Sequence, residues 1–176
     1  MTSALTPGLD AAIQEGNRDR DRDNMRPTID HFHRLLAEHP GNPQVLYELG
    51  GAYDTAGQEG CARGYYEQAM GAGLHGEVLR RCLLQYGSTL RNLGLHEESL
   101  AALRRAREQF PESDSVRLFL ALSLHAASRS DAAVAELLGL AADRIRNEDV
   151  TRYEVALRGN AAFLADRDRL ACGGSA

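Results

Sequence analysis

Apolar and small residues recur along this chain in a long period. The phrase Leu46-x-x-Leu49-Gly50-x-x-Tyr53 returns as Leu83-x-x-Tyr86-Gly87-x-x-Leu90, and again as Arg117-x-x-Leu120-Ala121-x-x-Leu124. The last two starts, Leu83 and Arg117, lie 34 residues apart. Self-similarity at such a period predicts stacked helical hairpins, each unable to bury its apolar face alone. The first clear unit predicts a helix from Pro43 to about Ala56, a stop at Gly57, a second helix from about Glu59 to Met70, and a break at Gly71-Ala72-Gly73. Gly50, Ala62 and Ala69 provide the small surfaces at which two helices approach, and Tyr53 and Tyr66 fill the remaining gap.

The second unit opens near Arg80, turns at Gly94, continues as a helix from Glu97 to Gln109 and stops at Pro111. Gly87 and Ala106 hold its small positions. The third starts near Asp114, turns around Ser128-Arg129-Ser130, takes Asp131 as its N-cap, and carries Ala133, Leu137 and Leu140 on its second helix. Val150, Tyr153, Leu157, Ala161 and Leu164 then fall on one stripe, predicting a capping helix from Asn147 to Asp166. Upstream, Phe32 and Leu35 match Tyr66 and Ala69, so a worn repeat is expected there with a short first helix, Leu9 to Asn17. The domain reading is a flexible start (1–8), a degenerate repeat (9–42), three repeats (43–79, 80–113 and 114–146), a cap (147–167) and a flexible tail (168–176).

These spacings resemble the tetratricopeptide repeat. Leu46, Leu49, Gly50, Tyr53, Ala62 and Tyr66 carry the likeness in the first clear unit, and Leu83, Gly87, Leu90, Leu103, Ala106 and Pro111 in the second. Arg117 and Ala121 depart from the pattern, as does the 37-residue step from Pro43 to Arg80. The run from Leu84 to Gly94 is similar to the central phrase of a small bacterial group of these proteins, group five. The resemblance implies an all-α, right-handed superhelical solenoid of antiparallel helix pairs with a C-terminal capping helix. It also implies a concave groove, lined by first helices, that binds peptides or proteins. In that frame the groove residues are Tyr47, Gly51 and Asp54, then Arg81, Leu84, Ser88, Arg91 and Asn92, then Leu118, Leu122 and His125.

Composition narrows the partners. Against 25 acidic residues stand 20 basic ones, a formal charge of −5 spread along the chain, which gives no footprint for nucleic acid or anionic lipid. Every basic residue is Arg, a bias that points to GC-rich bacterial coding. No stretch approaches the ~20 apolar residues of a membrane span, and no signal peptide opens the chain, so a cytoplasmic address is expected. Three cysteines, Cys61, Cys82 and Cys172, do not suggest a disulfide framework. Cys61 and Cys82 are expected to be small buried apolar groups, and Cys172 lies in the tail.

Candidate chemistry is sparse. His31 and His33 flank Phe32, but residues two apart on a helix point about 200° apart, which argues against a shared metal ion. His75 and His96 fall in turns, where exposure is expected, and His125 sits at the groove end of its helix. The alternating run Arg18 to Asp23 reads as a solvated connection. No phosphate loop, nucleophile elbow or paired-carboxylate motif occurs, so no enzyme activity, cofactor or metal is expected. Arg81 and Arg91 suit an acidic or carboxylate group, or else ordinary salt bridges. The clamp that holds a chaperone's C-terminal carboxylate is not supported, because Tyr47, Gly51, Gln85, Ser115 and Phe119 hold its places. The leading expectation is therefore an adaptor for an unidentified protein or peptide. A self-associating homodimer, with the groove filled by its own copy or C-terminal helix, is the second reading, and a thiol or metal enzyme is a distant third. Leu118 and Leu122 lie on a helix apolar nearly all round, so a partner is expected to cover them.

Overall fold

The computed structural model describes residues 7–173. They form ten helices: α1 (Pro7–Arg18), α2 (Arg26–Glu38), α3 (Pro43–Thr55), α4 (Glu59–Gly71), α5 (Gly76–Asn92), α6 (His96–Gln109), α7 (Asp114–Ala126), α8 (Ser130–Arg144), α9 (Glu148–Thr151) and α10 (Glu154–Gly173). No strand occurs among the described residues. The expected flexible ends lie partly outside them, at 1–6 and 174–176.

The period seen in the sequence reappears in the hydrogen bonds that end α3, α5 and α7. After α3, Gly57 adopts a φ of 70°, its N–H donates to Asp54 O at 3.0 Å, and Gln58 N–H donates to Tyr53 O at 2.9 Å. After α5 the same pair runs from Gly94 to Arg91 and from Leu95 to Leu90. After α7 it runs from Ser128 to His125 and from Arg129 to Leu124. This is the closure in which one left-handed residue lets two amides satisfy the last carbonyls of the helix. Gly57 and Gly94 adopt that conformation freely; Ser128, at a φ of 61°, adopts it against the steric preference of its Cβ.

Two compact units divide inside α5, one running to Thr89 and the other from Leu90. In the first, α1 packs on α2, α2 on α3 and α3 on α4. Its core is built from Leu9, Ile13, Ile29, Phe32, Val45 and Leu49, and from Leu46, Tyr47, Ala62, Tyr66, Ala69 and Cys82. Gly50 meets the Tyr66 ring so closely that a Cβ there would lie 2.8 Å from two ring carbons. Gly16 likewise faces Phe32, whose ring would lie 2.9 Å from a Cβ there, with the His31 ring nearer still at 2.5 Å. The pair Gly16–Phe32 stands 34 residues ahead of Gly50–Tyr66, which places a repeat-like contact in the worn N-terminal hairpin.

In the second unit α6 packs on α7, α7 on α8 and α8 on α10, around Leu100, Leu103, Leu120, Leu124 and Ala133. Arg117, the misfit of the third phrase, is held by α8: its guanidinium donates to Glu136 at 2.8 Å and to Asp143 at 2.6 Å. An apolar residue is unnecessary where two carboxylates meet the cation.

Several expected boundaries move. α5 begins at Gly76 rather than near Arg80 and has 17 residues against 13 in α3 and α7, so the longer repeat step is taken up within it. Asp131 is not an N-cap; α8 starts at Ser130 behind Arg129 without a side-chain cap, and Asp131 pairs with Arg167 of α10 instead. The cap is two helices. Asn147 caps the short α9 by accepting from Val150 N–H at 2.9 Å, and α10 continues through Gly173, so Asp168 and Cys172 are helical rather than part of a loose tail.

Candidate functional site

The expected groove residues divide between the two units. In the first, α3 presents Tyr47, Gly51 and Asp54, and α5 presents Arg81, Leu84 and Ser88. Tyr47 is buried, with the exposed Arg81 guanidinium lying over its ring at 5.7 Å. Desolvation holds the phenol proton more tightly and raises its pKa to about 12. Asp54 accepts from Thr89 Oγ1 at 2.9 Å, and burial raises its carboxyl above the ordinary range. Both groups therefore support this face from beneath. Arg81 is its exposed part, flanked by half-buried Leu84 and Ser88.

Residues absent from the sequence reading complete this face. Glu48 is only 6% exposed, although its neighbours Val45, Leu46 and Leu49 are core. Arg20 lies 3.8 Å from it and also donates to Asn17 Oδ1 at 3.2 Å. Asn17 in turn hydrogen-bonds Glu48, whose carboxyl burial nevertheless raises. Arg20 is thus folded onto α3, which corrects the reading of the charged run as a solvated connection at that residue. Around Gly51 converge the Tyr66 hydroxyl, Arg20 Nη2 and Gln85 Oε1, each 3.8–3.9 Å from where a Cβ would stand, and the hydroxyl donates to Gln85 at 3.2 Å. The signal available in sequence was Glu48 itself, a lone acid inside an apolar run.

In the second unit Arg91 lies over the Phe119 ring at 5.9 Å, and burial lowers its affinity for its proton. Asn92 and His125 are exposed, and Ser130 Oγ comes within 3.5 Å of His125 Nδ1. Leu118 and Leu122, one turn apart on α7, are 44% and 51% exposed. The C-terminal helix does not cover them, because α10 packs on α8. Each of the two arginines stacks on a ring within its own unit, Arg81 on Tyr47 and Arg91 on Phe119.

His31, His33 and Cys82 are tied into the packing. His31 Nε2 lies 2.9 Å from Ala12 O, and His33 Nε2 lies 2.8 Å from the Tyr53 hydroxyl. No group of His, Cys, Asp and Glu suited to a metal occurs among the described residues. Cys82 is buried as expected, whereas Cys61 is exposed on the outer side of α4. His96 is half-buried at the start of α6 rather than exposed. No described helix is long and apolar enough to cross a membrane.

Paired helices closed by a recurring left-handed turn, with small residues at the crossings, define a helical-repeat protein. The group-five tetratrico peptide repeat model matches residues 43–164, and the chain belongs to that family. No curated protein matches the sequence. Among solved structures the chain is similar to YrrB, a TPR protein with an unusual peptide-binding site, at 19% identity and a TM-score of 0.63, covering 92% of this chain and 86% of that one. It is also similar to MamA (residue 41 to the end) from Desulfovibrio magneticus RS-1, at 12% identity and a TM-score of 0.66, with 98% and 99% covered. PilF from Pseudomonas aeruginosa aligns at 19% identity and a TM-score of 0.57, over 91% of this chain and 76% of that one. These likenesses show the all-α tetratricopeptide fold.

Proposed function

We propose that this protein is a non-enzymatic adaptor of a bacterial cytoplasm that takes up a peptide or protein segment on its first-helix faces. The repeats in this reading are 9–42, 43–79, 80–113 and 114–146. The observation that carries it is the pair Leu118 and Leu122, large apolar side chains about half exposed on a helix whose opposite side is core. Bare apolar side chains, the nearer one turn from the exposed His125 of the same helix, form a surface suited to an apolar side chain of a ligand. Arg81, exposed over Tyr47, adds a cation to the first-unit face, suited to an acidic ligand group. YrrB, which shares the fold, is described as binding peptide.

The test is panning of a displayed peptide library, followed by titration of a selected peptide. Leu118→Ser with Leu122→Ser is expected to weaken binding about tenfold or more, a loss of ~1.4 kcal/mol or greater. Arg81→Glu is expected to weaken acidic ligands selectively. Failure to select any peptide, or equal affinity in the folded variants, would overturn the reading.

A further inference from the structure

The strongest surface outside those faces is the side of α10 turned away from the protein. Its inward side, through Leu157, Ala161, Leu164 and Asp168, lies on α8, and three ion pairs fix that orientation. Arg129 binds Asp168 at 2.5 Å, Arg158 binds Asp143 at 2.9 Å, and Arg167 binds Asp131. At 3.6 residues per turn the opposite strip carries Val155, Gly159, Ala162, Phe163, Asp166 and Leu170. Its large members are among the barest apolar side chains described: Val155 is 87% exposed, Phe163 62% and Leu170 78%. The stripe foreseen from the sequence was the inward one; on this second strip the Phe163 ring carries the Arg167 guanidinium at 5.8 Å and is bare on its remaining surface.

The strip is symmetric about the point between Ala162 and Phe163. Val155 and Leu170 lie equally far from that point, as do Gly159 and Asp166. When two such helices cross antiparallel about a two-fold axis there, Val155 meets the partner's Leu170, Ala162 meets the partner's Phe163, and Asp166 faces the partner's Gly159. The aromatic ring then opposes alanine, and the two outer apolar side chains oppose each other. The single carboxylate, already held by Arg169 of its own helix, meets the one position without a side chain, where the surroundings are open. A two-fold interface requires a surface complementary to itself under reversal, and this strip has that property along four turns. The equal spacing belongs to any helical face; what is particular to this one is the pairing of its single aromatic with alanine and of its single carboxylate with glycine.

We infer that the outer strip of α10 is a self-association surface, and that its occupant is the α10 of a second copy, packed antiparallel. One helix against one helix is a small contact, so the dimer is weak and depends on concentration.

Light scattering over about 1 to 200 µM should show the mass rising from 19.2 kDa toward twice that value. Phe163→Glu, at an exposed site that leaves the helical circular dichroism unchanged, should remain a monomer throughout. Geometry is read by disulfide trapping in a chain with Cys61→Ser and Cys172→Ser. Val155→Cys and Leu170→Cys chains should cross-link when mixed, several-fold more than either alone. A wild-type monomer at every concentration would overturn the inference. So would a dimer undisturbed by Phe163→Glu, a dimer abolished instead by Leu118→Ser with Leu122→Ser, or trapping no greater in the mixture than in the separate pools.

Discussion

Among the described residues, every large apolar side chain classed as exposed belongs to the unit that starts at Leu90; the unit ending at Thr89 has none. The first unit closes on aromatic side chains: Phe32, Tyr47 and Tyr66 are buried, and Tyr53 and Tyr65 stack 5.4 Å apart. The second is packed with Leu and Ala and held across its helices by arginine–carboxylate pairs. Small side chains leave less reach to cover neighbours, so leucines, valines and a phenylalanine remain on the surface of α7, α8 and α10. The contrast separates two ways of closing one fold, a unit whose large apolar side chains are covered and a unit that leaves several bare.

The largest test breaks the first unit. Tyr66 fills the gap beside Gly50 and bonds Gln85, so Tyr66→Ala should destabilise by about 3–5 kcal/mol in chemical denaturation. Phe163→Ala, the same kind of truncation at an exposed aromatic, should stay within about 0.5 kcal/mol. Equal losses would erase the distinction between the units.

Next comes the pinning of α10. Asp168 is buried and its described partner is Arg129, so Arg129→Ala leaves a buried carboxylate unmatched. A loss of about 1–3 kcal/mol is expected. Hydrogen exchange should rise first in α10, leaving the first unit protected. Uniform exchange throughout the chain would contradict that assignment.

At the turns, Ser128→Gly should raise stability by about 1 kcal/mol by relieving the left-handed strain. The gain should appear as a higher melting temperature, and Gly57→Ser should lower it in the first unit.

Glu48 gives a pH signature peculiar to the first unit. Burial raises its folded pKa above the ordinary 4.5, so the native state binds its proton more tightly than the unfolded chain. That contribution is fully present below 4.5 and is lost as pH rises through the folded value. Glu48→Gln, which cannot ionise, should melt progressively higher relative to wild type as pH rises from about 4 to 8. A pH-independent difference would mean that Arg20 and Asn17 fully compensate the carboxylate.

Much of the fold was legible because its signals are local. Pro43, Gly57 and Gly94 punctuate helices by backbone chemistry, and Gly50 opposite Tyr66 follows from spacing alone. The misses share a different cause. Asp131 offers a cap by type but is drawn to Arg167, 36 residues away, and Arg20 leaves a charged run to reach Glu48. The bare strip of α10 is not legible in the sequence because the inward stripe already accounts for a helix there. Of the expected groove residues, sequence placed them on first helices, but Tyr47 and Asp54 are covered by neighbours that only packing supplies.

The claim that the second unit keeps apolar side chains for partners is tested most directly by denaturing the Leu118→Ser, Leu122→Ser variant as a monomer in guanidinium. The account predicts a midpoint close to wild type, within about 0.5 kcal/mol for each substitution, because neither leucine is enclosed. A loss of about 2–5 kcal/mol per site, the cost of emptying a core position, would place both leucines in the protein's own interior and contradict it.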